Sequence, residues 1–303
     1  MKEEKLEINL DLNKVLNWLW IDKYIIFIFT LMFAVISVVY SLSLENKYTS
    51  KAVVISDLDD SQSLGGNLGG LGGLASMAGI SLGGSNLSPE VLKEIITSNS
   101  FLASFIRSKN LEAIVMAAEA FDPIKNTFLY DATIYDEKAQ RWTRKFTYPK
   151  KAEPNDIELA EKFRENLSVS FDRKTKLISI VYKSLSPDFS RYVISELIEE
   201  FNLHIKLKEQ DSASKTLSYL KSEIEKTDLS EVKVTMQTLL EEQYKKLALT
   251  ETRNDYAFKI IDEPKSAYKK SEPRRSIICI AITVFGFFLT SLVLISLRLV
   301  KRV

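Results

Sequence analysis

The side chains best able to do chemistry are few and far apart. His204 is the only histidine and Cys279 the only cysteine among 303 residues. Zinc sites built on Cys and His, histidine relays and an internal disulfide therefore all lack partners. Asp57, Asp59 and Asp60 resemble the start of a calcium loop. That loop needs a central Gly and a closing Glu, where Gln62 and Leu68 stand, so a solvated acidic turn is the better reading. Glu199–Glu200 and Glu241–Glu242 read as solvated helix faces with i, i+4 partners such as Glu241 to Lys245. Trp142, with Arg141, Arg144, Lys145 and Tyr148 nearby, has the types to stack on a sugar or hold an anion, or to form an exposed strand.

Glycine is the other candidate for chemistry. Nine of the ten glycines lie between Gly65 and Gly84. A phosphate-binding loop needs a Lys directly after its last Gly, and none follows here. A dinucleotide fingerprint needs a preceding strand, which Asp57-Leu-Asp-Asp60 is not. The run reads as a loop over 61–86, made adhesive by Leu64, Leu68, Leu71, Leu74, Met77 and Ile80. No acid–base pair, nucleophile, cofactor loop or metal set emerges, so the expectation is a protein that is not an enzyme. The 41 basic and 40 acidic side chains leave a net charge of +1, which creates no field that would draw nucleic acid.

Two uncharged stretches of 21 residues, Tyr24–Leu44 and Ile277–Leu297, frame the chain. A helix rising about 1.5 Å per residue crosses a ~30 Å hydrocarbon core in about 20 apolar residues, so both read as membrane spans. A cleaved signal peptide fits the first poorly, because five acids precede it and no small-residue cleavage site follows. Arg298, Lys301 and Arg302 form a basic tail of cytoplasmic character. The two tails hold seven of the basic and five of the acidic residues, leaving 34 and 35 in the 232-residue segment 45–276. Segments that long are translocated largely regardless of charge. The expected order is a cytoplasmic tail 1–23, span 24–44, exported segment 45–276, span 277–297 and cytoplasmic tail 298–303.

Within the exported segment, Tyr48–Ile55 alternates like a strand leaving the membrane. Ser88-Pro89 opens a helical stripe running to about Arg107, and Leu111–Phe121 reads as another helix. Residues 122–155 show no clear period. Asp156–Asn166 reads as a helix, followed by strands Leu167–Phe171 and Leu177–Tyr182. Ser186-Pro187-Asp188 opens a helix whose i, i+4 row is Phe189, Val193, Leu197, Phe201 and Ile205, continuing to about Thr227. A second helix runs to Thr252, and Tyr256–Ile261 returns as a strand. No Gly or Pro interrupts 188–263, so a long helical arm over 188–252 should project from an α/β base of 45–187 and 253–264. Polar on most faces, such an arm gains from partner chains.

This order of parts resembles the polysaccharide co-polymerases, the Wzz-type chain-length determinants of O-antigen and capsular polysaccharide. Asp11-Leu12 with Leu16, Trp18, Trp20 and Lys23 is similar to that family's motif before the first span. Tyr48-Thr-Ser-Lys-Ala52 is similar to its first external strand, and Leu92–Leu102 to its segment after the loop. The arm, the returning strand, and Pro264 and Pro273 ahead of a span containing Gly286 complete the likeness. The resemblance implies an α+β membrane protein, with two transmembrane helices flanking a periplasmic base and a protruding helical hairpin. It further implies a homo-oligomer in the cell inner membrane, working with a Wzy-type polymerase on a lipid-linked glycan, without cofactors. Pro264, Pro273 and Gly286 become its family-motif positions. The chain ends six residues past the second span, so no kinase domain of the kind some relatives carry is expected. The competing reading is a two-span adaptor or sensor whose arm binds a protein.

Overall fold

The computed structural model describes residues 20–56, 87–253 and 255–300. The glycine-rich run 61–86, the acidic turn at Asp57, Asp59 and Asp60, and residues 1–19 lie outside them. In chain order the first elements are α1 (Lys23–Ser43), β1 (Tyr48–Ser56), α2 (Pro89–Ile96), α3 (Asn99–Ser108), α4 (Glu112–Ala117), β2 (Ala118–Asp122) and β3 (Thr127–Tyr130). There follow β4 (Tyr135–Asp136), β5 (Arg141–Trp142), α5 (Asp156–Arg164), β6 (Leu167–Asp172) and β7 (Leu177–Ser184). The chain continues through α6 (Pro187–Lys226), α7 (Ser230–Thr252), β8 (Phe258–Asp262) and α8 (Arg275–Val300). They divide between two units, Met1–Lys47 with Lys270–Val303, and Tyr48–Lys269.

The first unit is a pair of long apolar helices. Lys23–Ser43 and Arg275–Leu297 have mean hydropathies of 2.6 and 2.7 and leave most of their surface open, as lipid-facing helices do. With mixed helix and strand between them, this is a two-span α+β membrane protein. Lys23 lies over the rings of Trp20 and Tyr24 at 5.2 and 5.3 Å, a basic and aromatic group at one helix end.

The second unit is built on a four-stranded sheet in the order β6-β7-β1-β8, with each neighbouring pair antiparallel. β7 alternates half-buried and buried residues, so Ile178, Ile180 and Tyr182 share a core face with Ala52 and Val54 of β1. The core on this face is completed by Val193, Ile194, Leu197 and Phe201 of α6, Phe101, Leu102 and Phe105 of α3, and Leu159 and Phe163 of α5. Each such Phe, Leu or Ile contributes about 1.5–3 kcal/mol of burial.

α6 is 40 residues long, roughly 60 Å at the helical rise. Its first half follows the expected row and packs into the core through Ile205, while Ala213, Leu217 and Leu220 are buried further along. α7 runs back beside it as a helical hairpin.

Two expectations change in the structure, and one unassigned stretch gains elements. The stripe from Pro89 is two helices, because the Ser98 hydroxyl accepts from the Phe101 amide at 3.3 Å and caps a new start. The helix expected over Leu111–Phe121 stops at Ala117. Residues 118–122 become β2 because their backbone pairs with β3, Phe121 opposite Phe128 and Asp122 opposite Thr127. Local helix propensity loses there to cross-strand pairing and to the Phe121–Phe128 ring contact at 5.2 Å. Residues 122–155, aperiodic in the sequence, hold β3 and the small β4–β5 hairpin.

Candidate functional site

Pro264, Pro273 and Gly286, the positions singled out by the resemblance, fall in two places. Pro264 is buried in the second unit, two residues past the end of β8. Its neighbours bind that stretch of chain: the Lys265 carbonyl accepts from Ser50 Oγ at 2.9 Å, and Ser266 Oγ donates to Asp188 Oδ1 at 2.6 Å. Pro273 and Gly286 belong to the first unit. Just before Pro273 the backbone is stitched to the end of the first helix segment. The Lys47 amide donates to the Glu272 carbonyl at 2.9 Å and the Ser271 amide to the Lys47 carbonyl at 2.9 Å. Arg275 Nη2 adds a bond to Asn46 Oδ1 at 3.2 Å.

Gly286 meets Phe33. A Cβ at Gly286 would lie 2.5 Å from Phe33 Cγ and 2.7 Å from Phe33 Cβ, closer than real atoms approach. Glycine therefore sets the approach of α1 and α8 at this level. Around it the contact is lined by small polar residues satisfied within their own helices. Ser37 Oγ donates to the Ala34 carbonyl and Thr290 Oγ1 to the Gly286 carbonyl, each at 2.7 Å. Cys279 Sγ lies 3.8 Å from the Ser37 carbonyl. In lipid, where apolar side chains gain nothing by leaving their surroundings, such small-residue contacts supply the packing energy.

In the second unit, the arm is held at its root by Asn202. Its Nδ2 donates to the Phe258 carbonyl at 3.0 Å, and its Oδ1 accepts from the Ala257 and Phe258 amides at 3.0 and 2.7 Å. Lys109 ties α3 to α6 through Glu196 at 2.7 Å and Glu200 at 3.5 Å, and these carboxylates raise its pKa. His204 packs on Phe101 with ring centroids 5.4 Å apart. Its partial burial, with Lys208 nearby, lowers its pKa, while one side of the ring stays exposed. Beyond the core, Glu209 pairs with Lys246 across the hairpin and Lys221 lies over the Tyr244 ring at 5.4 Å. The expected Glu241–Lys245 pair is present at 2.9 Å. α7 buries only Thr250, and Tyr219 (63% exposed) and Val234 (61%) stand out in water. The arm's faces, polar by sequence pattern, also carry exposed apolar side chains.

The group around Trp142 is divided. Trp142 packs on Tyr135 across the β4–β5 pair at 5.0 Å. Arg144 turns away from it. Its Nη2 donates to Glu158 Oε2 at 2.7 Å and to the Lys151 carbonyl at 2.8 Å, and its Nε to the Ala152 carbonyl at 2.7 Å. Arg144 holds the Glu158 carboxyl below the usual carboxylate range, and the Asn155 capping box reinforces this. Arg144 is therefore a structural clamp and not an anion binder, while Arg141, Lys145 and Tyr148 lie on the surface.

The β2–β3, β4–β5 and β6–β7 hairpins, the second of which carries Trp142, share a turn signal that hydrophobic periodicity does not carry. Asp122, Asp136 and Asp172 each begin a turn by accepting backbone amides two or three residues ahead. The residue four after each, Asn126, Gln140 and Lys176, has φ of 54, 47 and 58°. This repeated Asp-first turn is side-chain chemistry that Asp provides and most residues do not. Among the described residues, no three His, Cys, Asp or Glu side chains come together as a metal site.

No curated protein matches the chain. Among solved structures it is similar to a full-length bacterial polysaccharide co-polymerase, at 11% identity and TM-score 0.39, covering 96% of this chain and 99% of that one. It is also similar to a fragment of WzzB, a polysaccharide co-polymerase from Salmonella Typhimurium, at 12% identity and TM-score 0.32, covering 75% of this chain and 99% of that one. Residues 8–109, which run through the first apolar helix, β1, α2 and α3, match the family described as Wzz, chain length determinant protein.

Proposed function

We propose that this protein is a non-enzymatic co-polymerase that sets the chain length of O-antigen or a related surface polysaccharide. The observation that carries this reading is the Wzz match over residues 8–109, on a chain whose described residues begin and end in apolar helices long enough to span. Both termini are cytoplasmic and residues 45–276 lie in the periplasm, as the basic tail after the second span argues. The working form is a homo-oligomer in the inner membrane, associated with a Wzy-type polymerase and its lipid-linked glycan. The arm supports this, since it leaves Tyr219, Val234 and Tyr244 exposed along a hairpin with little core of its own. Pro273 and Gly286 shape the chain around the second span and its contact with the first, Pro264 shapes the chain that follows the returning strand, and each acts through that geometry.

The test is the surface-glycan ladder of a clean deletion and its complemented strain. Loss of a preferred length with polymerisation intact is the expected result. Unchanged lipopolysaccharide, capsule and secreted glycan would transfer the protein to the adaptor reading, in which the arm binds a protein.

A further inference from the structure

The second unit contains a cleft of about 500 Å³ that none of the family-motif positions touches. Cavities of a few hundred Å³ take ligands of small-molecule size. One wall is aromatic: Trp142 and Tyr135 pack at 5.0 Å, and Tyr130 meets Tyr135 edge-on at 5.8 Å. All three are half-buried, with ring surface left toward the cleft. Facing them is the turn from α3 into α4, which brings Arg107, Asn110 and Glu112, and the stretch before α5, which brings Glu153. Gln140, in the β4–β5 turn, closes one side.

Aromatic faces beside carboxylates and amides are the chemistry that holds sugars. The ring packs against the C–H face of a pyranose, and planar acceptors and donors take its hydroxyls in pairs. The charge balance narrows the ligand further. Among the described residues, the charged side chains lining the cleft are Arg107, Glu112, Glu137 and Glu153. Arg107 is already engaged by Asp156 at 3.0 Å, Glu153 at 3.5 Å and Glu112 at 3.9 Å. The cleft is therefore negative, which opposes phosphates and carboxylates and favours neutral or cationic ligands.

We propose that this cleft is a saccharide-binding site that takes neutral or amino-sugar oligosaccharides and rejects acidic ones. That its natural ligand comes from a surface polysaccharide rests on the proposed function; the choice of sugar type rests on the cleft alone. The Trp142 ring is the platform, Asn110 and Gln140 read hydroxyls, and Glu112 and Glu137 exclude uronic acids.

The full-length protein in mild detergent is titrated with maltotriose, chitotriose, the de-N-acetylated chitotriose and trigalacturonate, followed by saturation-transfer NMR and calorimetry. The first three bind, and trigalacturonate binds at least about tenfold more weakly. Trp142→Ala weakens binding about tenfold or more while Trp142→Phe retains most of it, as a stacking platform requires. Gln140→Ala, on an exposed turn, weakens binding without touching the ring packing. Glu112→Gln with Glu137→Gln admits trigalacturonate. Failure of all four saccharides to bind overturns the proposal, as does full binding by folded Trp142→Ala or equal binding of trigalacturonate by the unaltered protein. A deletion strain with a shifted glycan ladder but a protein that binds no saccharide sinks the cleft alone. Saccharide binding with lipopolysaccharide, capsule and secreted glycan all unchanged sinks the proposed function and leaves the cleft.

Discussion

Asn202 grips the backbone of Phe258 from both sides, accepting from its amide at 2.7 Å and donating to its carbonyl at 3.0 Å. The ring below completes the joint, since Phe201 stacks on Phe258 with centroids 4.7 Å apart. One side chain on the long helix thus fixes where the returning strand begins, and so where the arm ends and the sheet resumes.

Asn202→Ala should therefore destabilise the second unit by roughly 2–3 kcal/mol, because it strands buried donors and an acceptor. Asn202→Asp should recover the acceptor role and lose the donated bond. Thermal and denaturant unfolding of the full chain in detergent measures both. A change under half a kcal/mol in Asn202→Ala would mean that the strand is held by stacking alone.

The contact between Gly286 and Phe33 predicts a size-dependent defect. Gly286→Leu should separate α1 from α8, and Phe33→Ala in the same chain should restore part of the contact. Cys279 supplies the reporter, because its sulfur lies 3.8 Å from the Ser37 carbonyl. In Ser37→Cys the two thiols should cross-link with a short reagent, less so with Gly286→Leu, and again after Phe33→Ala. Efficient cross-linking in all three would place the constraint elsewhere on the helices.

The Arg144–Glu158 clamp predicts a pH dependence. The Glu158 carboxyl is held below its ordinary value of 4.5, so its stabilisation is complete above that value and is lost as pH falls through the lower, folded-state value. Both side chains are largely shielded, at 15% and 11% exposure, so the bond should contribute about 1–3 kcal/mol. Unfolding curves between about pH 6 and 3 should show the unaltered chain weakening at the acid end, and Glu158→Gln weaker near neutrality with a flatter profile. Parallel profiles for the two would remove Glu158 from the acid transition.

The exposed apolar side chains of the arm predict the outcome of charge insertion. Tyr219→Glu with Val234→Glu should lower the oligomer size by light scattering in mild detergent and shift the modal glycan length, with the core unaffected. An unchanged assembly would mean that protomers meet through another surface.

The two spans and the arm were legible in the sequence because their signals are local. Twenty-one uncharged residues in a row, or a helical row uninterrupted by Gly or Pro, need no distant partner to be read. The strands around Val54 and Ile180 were legible as strands for the same reason, through alternation. Their order in the sheet was not, because β1 receives β7 and β8 from far along the chain. Ser98 was hidden inside an apolar stripe that continues on both sides, and only its hydroxyl on the Phe101 amide divides the helix. Ala118–Asp122 has helix-forming composition and becomes a strand because Thr127–Tyr130 offers it a partner. Trp142 drew notice by its neighbours in sequence, yet folding parts it from Arg144 and sets it instead across from Arg107 and Glu112. Local pattern determined which elements form; the meeting of Phe33 with Gly286, of Asn202 with Phe258, and of Trp142 with its cleft was decided by tertiary packing, because each joins residues whose separation along the chain carries no periodic signal.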